Sequence, residues 1–200
     1  MKERSAPFRE PNIDNYFFFG FNLFPKIYIG GVESLERTFV ALGSNIPPRG
    51  QHLSEAIEML KCISLGGWKE SSIYETPPVG PEGEDPYFNQ VVTFWYGKGY
   101  PSLLNYLKGT ELFLGRKPRG HWEKREIDMD LLYYGETICK GRPTLPHPEA
   151  ASRGFVLVPL VEIDPEWVDP LTGHTTKSML LKLKASGAFL DFPKMEVSDE

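Results

Sequence analysis

Asp128 and Asp130 stand two residues apart in "EIDMDLLYYG" (126–135), a stretch otherwise apolar enough to be buried. Charged side chains are rarely buried without a partner. On a strand, residues i and i+2 share a face, so both carboxylates point the same way, their α-carbons roughly 7 Å apart. Met129, between them, points to the opposite face, toward a core. Two carboxylates side by side repel unless a cation or a proton lies between them. Mg2+ suits the place, because it is hard, takes carboxylate oxygens and completes its shell with waters and phosphates. Two such ions sharing the pair would clamp a polyphosphate. A D-x-D alone is more often a solvated strand face, so the neighbours decide.

The nearest neighbour is "GRKPRGHWEKR" (115–125), with Arg116, Lys117, Arg119, Lys124 and Arg125 against one acid, Glu123. Arginine forks suit phosphate oxygens, and Trp122 offers a stacking face. A basic loop running into a metal-binding pair is what a nucleoside triphosphate needs. Farther along, "LPHPEAASRGF" (145–155) sets His147 between prolines and Arg153 just before Gly154 and Phe155. Taken alone that segment is weak evidence. "YETPPVGPEGEDPYFNQ" (74–90) is a loop rich in proline and glycine that ends in Tyr87, Phe88 and Asn89. An aromatic ring beside an amide can hold a flat heterocycle, one stacking and the other reading edge donors and acceptors. A hairpin loop with inward-packed aromatics explains those residues equally well. There is no G-x-x-x-x-G-K-[ST], no G-x-G-x-x-G placed after a strand, no cysteine–histidine cluster and no serine elbow.

The elements that must position these groups follow from periodicity. "TFVALG" (38–43) is a short apolar strand, and "SEAIEMLKCI" (54–63) with Leu53 carries apolar residues at helical spacing. "WKESSIYET" (68–76) alternates and stops at Pro77-Pro78, and "NQVVTFWYG" (89–97) is a third strand. "PSLLNYLKGTELFLG" (101–115) is a helix, with Pro101 in its first turn and Gly115 at its end. With 126–135 as a fourth strand, the order is strand, helix, strand, strand, helix, strand. That predicts an α+β, ferredoxin-like split βαβ fold with a mainly antiparallel sheet flanked by helices. "FVLVPLVEI" (155–163) is apolar enough for a strand, though Pro159 argues against a central one, and 164–175 reads as turns or a hairpin. Residues 1–36 form an N-terminal extension, polar and partly mobile at first, with a candidate extra edge strand around 26–30. The domain is expected over 37–183, and 184–200 as a C-terminal tail.

Two hundred residues suit one domain with an appendage and can bury a core without staples. Net charge is −5, which disfavours a general nucleic-acid binder. Two cysteines give no disulfide framework, so a reduced, cytoplasmic compartment fits best. No apolar run suggests a membrane span, and the aromatic "YFFFGFNLF" (16–24), followed at once by Pro25, does not read as a signal core.

In this setting residues from about 38 to 180 resemble the 6-hydroxymethyl-7,8-dihydropterin pyrophosphokinases of folate biosynthesis. The matching pieces run in order: "ALGSN" (41–45), "YETPPVGP" (74–81), "DPYFNQVV" (85–92), "ELFLGR" (111–116), "REIDMDLLYYG" (125–135) and "LPHPEAASRGFVLVPLVEI" (145–163). The resemblance implies transfer of pyrophosphate from ATP to the pterin hydroxymethyl group, with release of AMP. It implies two Mg2+ ions on Asp128 and Asp130. Arg116, Arg125, His147 and Arg153 become polyphosphate contacts, with Glu111 bordering the nucleotide. Tyr87 and Phe155 become the two faces of a pterin sandwich, and Asn89 with the Thr76, Pro77 and Val79 stretch reads the pterin edge. Arg119 and Trp122 fall in the loop that closes over the reactants in this family. The implied partners are the two small substrates, with no nucleic acid and no membrane, on a monomer. The chain departs from the family pattern in Glu123-Lys124, where a Gly-Pro or small-residue pair is usual, in Met129, where a branched aliphatic is usual, and in a loop after Arg116 one residue shorter than in some relatives. Three other readings compete: a nucleotidyltransferase using a D-x-D on a similar sheet, an RNA-recognition module, whose aromatic signature is absent, and a degenerate, inactive member of the same family, against which the retained aspartates and arginines argue.

Overall fold

A computed structural model describes residues 34–78, 85–117, 124–187 and 192–195. The chain divides into two units, Met1–Gly31 and Val32–Glu200, and every residue described belongs to the second. The edge strand expected around 26–30 lies outside the described residues.

Alternation in "ERTFVALGS" makes β1 (Glu36–Ser44) a strand with two apolar faces. Val40 and Leu42 enter one core, Phe39 and Ala41 the other. β1 is flanked on one side by β4 (Tyr87–Tyr96) and on the other by β5 (Asp128–Tyr134), both antiparallel. Beyond β4 lie β2 (Lys69–Glu70) and β3 (Ile73–Thr76), and β8 (Lys194–Met195) pairs with the outer side of β3. The order β5-β1-β4-β3-β8 has two split crossovers. Helix α1 (Arg49–Lys61) leads from β1 past β4 to β2 and β3, and helix α2 (Gly99–Phe113) leads from β4 past β1 to β5. This is the expected split βαβ arrangement with an antiparallel sheet.

Leu53, Ala56, Ile57 and Leu60 on α1, with Leu103 and Leu107 on α2, bury a helical stripe against Val92, Phe94 and Met129 of the sheet. Met129 is fully buried, so the residue between the two aspartates does face a core. A second core, of Phe39, Val91, Leu132 and Tyr133, lies under α3 (Gly154–Ile163) and α4 (Thr176–Ala185). Between β5 and α3, β6 (Cys139–Lys140) and β7 (Thr144–Leu145) form a small hairpin.

Two parts of the last third differ from the sequence reading. Residues 155–163 are helical, not a strand. A short apolar run carries no clear period, yet its buried residues Val156, Leu157, Leu160 and Ile163 are spaced as one helix face. Pro159 is tolerated inside the helix and is itself buried. Residues 176–185 form α4, started by Thr175, whose hydroxyl accepts the Ser178 N–H at 3.1 Å. The 68–76 strand is interrupted into β2 and β3, and α1 begins at Arg49, ahead of the expected start. The stretch 164–175 is turns closed by a single bridge between Val168 and Thr175.

Candidate active site

The sheet places four chain ends at one edge of the molecule: the end of β1, the start of β4, the end of β3 and the start of β5. Gly43 of β1 lies between Asn89 of β4 and Asp128 of β5, and Ala41 faces Asp130. The β1–β5 register slips between Phe39 and Val40. Bulges re-aim side chains near functional sites. This one returns Tyr133 to the second core while Asp128 and Asp130 upstream share the Ala41–Gly43 face. A Cβ on Gly43 would stand 3.1 Å from Asn89 Oδ1 and 3.7 Å from the Tyr87 ring, so glycine keeps that floor open.

Above the floor is a cavity of about 260 Å3. It gathers Thr76, Pro77, Tyr87, Asn89, Arg125, Asp128, Asp130, His147, Arg153 and Phe155, which the sequence distributes over eighty residues. Tyr87 and Phe155 come from different elements. Asn89 is fixed by donating through Nδ2 to Thr76 Oγ1 at 2.7 Å. Arg153 precedes the first turn of α3, which opens on the cavity through Phe155 and Val156. A helix N-terminus and an arginine both favour an anion there. Glu149 holds Arg153, its carboxylate accepting from Nε at 2.6 Å, and its N–H donates to His147 Nδ1 at 3.2 Å. The bond from Arg153 holds the Glu149 carboxyl below its usual range.

Asp128 is mostly buried and doubly paired. Arg116 Nη1 donates to Oδ1 at 2.6 Å, and Arg125 Nη1 donates to Oδ2. Burial would raise this carboxyl, but Lys108, Arg116 and Arg125 outweigh it and hold it below its ordinary range. Asp130 is more open, with Lys108 Nζ at 3.5 Å. Glu111 and Arg116 do not line the cavity; they stand behind Asp128. Glu111, buried at 3% exposure, pairs through Oε2 with Arg116 at 2.5 Å and through Oε1 with Lys108 at 2.6 Å. Burial pushes the Glu111 carboxyl up, and Lys108 and Arg116 limit the rise. Three expected site residues, Val79, Arg119 and Trp122, lie outside the described residues.

Some contributors were not singled out by sequence. Asn45 accepts the Arg125 N–H through Oδ1 at 2.7 Å and donates its own N–H to the Arg125 carbonyl at 3.2 Å, so it fixes the backbone that aims Arg125. Arg49 donates to Glu75 at 2.9 Å and to the Pro86 carbonyl at 3.1 Å, tying the two flanks of the Pro-rich loop. Lys108 stands three residues from Glu111 and Glu149 four from Arg153, and in sequence these look like ordinary surface pairs.

The donor set suits magnesium. Two carboxylates share one strand face, and both line the cavity. An ion held there keeps most of its shell for water and phosphate oxygens, which is how Mg2+ is usually bound. Among the described residues no helix is long and apolar enough to cross a membrane.

Residues 39–165 match the family model for 7,8-dihydro-6-hydroxymethylpterin-pyrophosphokinase. A 2-amino-4-hydroxy-6-hydroxymethyldihydropteridine pyrophosphokinase of Synechocystis is 36% identical over 160 residues, covering 79% of this chain and 82% of that protein. The enzyme of the same name from Methylorubrum extorquens is 36% identical over 155 residues, covering 76% of this chain and 97% of that protein. Among solved structures, Plasmodium falciparum HPPK-DHPS superposes on 78% of this chain with a TM-score of 0.58 and 12% identity. The likeness spans 45% of that longer chain and bears on the fold alone.

Proposed function

We propose how this site works from one premise: the chain belongs to the 7,8-dihydro-6-hydroxymethylpterin-pyrophosphokinase family. It is a pyrophosphokinase of folate synthesis, EC 2.7.6.3, which transfers pyrophosphate to 6-hydroxymethyl-7,8-dihydropterin with ATP as co-substrate. We infer that AMP leaves and that the residues gathered at the cavity carry the reaction. The observation that supports this most is the convergence of ten expected contact residues on one cavity around Asp128 and Asp130.

Tyr87 and Phe155 stack the pterin, while Asn89, Thr76 and Pro77, with Val79 beyond the described stretch, read its edge. Stacking aligns the hydroxymethyl oxygen with the phosphate it attacks, and alignment of this kind lowers the barrier without covalent help. Asp128 and Asp130 would hold two Mg2+ ions, which neutralise the triphosphate and polarise the attacking hydroxyl when bound. Arg116 and Arg125 face Asp128 and exchange part of that pairing for phosphate oxygens. With Arg153 and His147, they stabilise charge on the transferring group. Glu111 borders the nucleotide by anchoring Arg116. Arg119 and Trp122 are carried over from the family as lid residues. The reading includes a catalytic domain over 37–183 and a monomeric, cytoplasmic enzyme.

The test is AMP formation from ATP and Mg2+ with and without 6-hydroxymethyl-7,8-dihydropterin. Pterin-dependent AMP is the expected result. Nucleotide turnover without it, or transfer of AMP to the acceptor, would replace this reading with a nucleotidyltransferase.

A further inference from the structure

Strand β5 is an edge of the sheet, and edges expose unpaired backbone groups. At Met129, between the two aspartates, that edge is closed by side chains of α2. Glu111 Oε1 accepts the Met129 N–H at 2.7 Å, and Lys108 Nζ donates to the Met129 carbonyl at 3.0 Å. The two residues stand where a neighbouring strand would, gripping the peptide that carries both carboxylates. Lys108 also bonds Glu111 at 2.6 Å and lies 3.5 Å from Asp130.

The charges in this cluster cancel. Glu111, Asp128 and Asp130 are three carboxylates, and Lys108, Arg116 and Arg125 are three cations. Glu111 accepts from a lysine, an arginine and a backbone N–H, a set of donors that suits an ionised carboxylate. Arg153 and Glu149, which also line the cavity, form their own neutral pair. A neutral cluster attracts a lone divalent cation weakly. Two divalent cations together with a fully ionised nucleoside triphosphate are also neutral, and that combination matches the site.

We propose that Lys108 is a positioning residue of the reaction with a second task set by its charge. It clamps the strand that carries the aspartates and cancels the third carboxylate, so the pair retains divalent cations only together with the nucleotide. This rests on the assignment of Asp128 and Asp130 as metal ligands. Without Lys108 the cluster carries one net negative charge, and a divalent ion a few ångströms away should bind alone about tenfold more tightly.

The experiment uses Mn2+ as the probe and reads bound against free ion by electron paramagnetic resonance on the full chain, without nucleotide and with α,β-methylene-ATP. Wild type is expected to take up Mn2+ weakly alone and strongly with the analogue. Lys108→Met should bind Mn2+ alone about tenfold more tightly and gain less from the analogue. Lys108→Arg should restore wild-type behaviour. Lys108→Gln, whose amide can still donate toward Met129, should tighten lone Mn2+ binding as Lys108→Met does, and keeps the test intact if the methionine variant fails to fold. A clamp without the charge role predicts the opposite sign, weaker Mn2+ binding in both conditions; that result, or unchanged lone binding, overturns the proposal. Wild type that takes up no Mn2+ even with the analogue would instead remove the metal assignment itself, and this inference with it.

Discussion

The two aspartates are chemically alike but differently held, and that difference separates their variants. Asp130 is 42% exposed, with Lys108 at 3.5 Å as its charged neighbour. Asp130→Asn should therefore leave stability within about 0.5 kcal/mol of wild type while pterin-dependent AMP formation falls at least about a hundredfold, since a metal ligand is lost. Asp128 is 19% exposed and pairs with both Arg116 and Arg125. Asp128→Asn removes the carboxylate that Arg116 and Arg125 share and leaves Arg116 to Glu111, so activity falls and the fold also weakens, by about 2 kcal/mol once partial exposure is allowed for. The sign with pH follows from the depressed Asp128 carboxyl. A carboxyl held below its ordinary range stabilises the fold above its unfolded pKa and loses that contribution as pH falls through the folded one. The Asp128→Asn deficit should be constant near neutrality and shrink below about pH 4. Urea denaturation of both variants across pH, beside their turnover, checks all of this. A pair of variants with equal stability would show that the arginines do not depend on Asp128.

At the scale of elements, strand β3 delivers Thr76 to the cavity, and Glu162 of α3 pins that strand. Its carboxylate accepts the Ser72 N–H at 3.0 Å, the Ser72 hydroxyl at 2.7 Å, the Tyr74 hydroxyl at 2.8 Å and Lys194 of β8 at 2.9 Å. Burial alone would raise Glu162, but bonds from Lys194, Ser72 and Tyr74 prevail and hold its pKa at about 2. Glu162→Gln should destabilise by about 1–2 kcal/mol. Because the folded pKa lies below the ordinary 4.5, that stabilisation is complete above about pH 4.5 and fades toward pH 2. Denaturation midpoints of wild type and Glu162→Gln should therefore converge on acidification; parallel curves would exclude the linkage. This network was not legible in the sequence, since Ser72, Glu162 and Lys194 are far apart along the chain. What was legible is local: alternation gave β1 and β5, and the stripe of Leu53, Ala56, Ile57 and Leu60 gave α1. The D-x-D geometry and the face of Met129 followed from the strand period alone. The helix at 154–163 was not, because a run apolar on every side satisfies either period, and α4 was hidden by a tail rich in lysine. Asn45 and Lys108 were missed for another reason: each acts on the backbone of β5 or its approach, and backbone partners leave no trace in residue type.

For the whole molecule, the family match covers 39–165, and among the described residues those lining the cavity run from Ala41 to Val156. The two ends should nonetheless behave differently when removed. Described elements begin with β1 at Glu36, and among the described residues none that lines the cavity precedes Ala41. Deleting residues 1–33 should leave the melting temperature and kcat/KM within about twofold or a few degrees of the full chain. The C-terminal segment is tied into the sheet: β8 pairs with Ile73 and Tyr74, the Pro193 carbonyl accepts the Glu75 N–H at 3.1 Å, and Lys194 bonds Glu162. Ending the chain at Gly187 removes this outer strand from β3 and bares the edge one residue before Thr76. At about 1 kcal/mol for each of several lost bonds, the expected cost is about 2–3 kcal/mol, less than additive with Glu162→Gln because the two share Lys194. The same loss loosens the strand that fixes Asn89 through Thr76, so KM for the pterin should rise more than KM for ATP. Melting curves and steady-state kinetics on the two truncations decide it: equal effects at the two ends, or a C-terminal truncation that alters ATP and pterin alike, would mean that the β8 edge does not support the pterin wall.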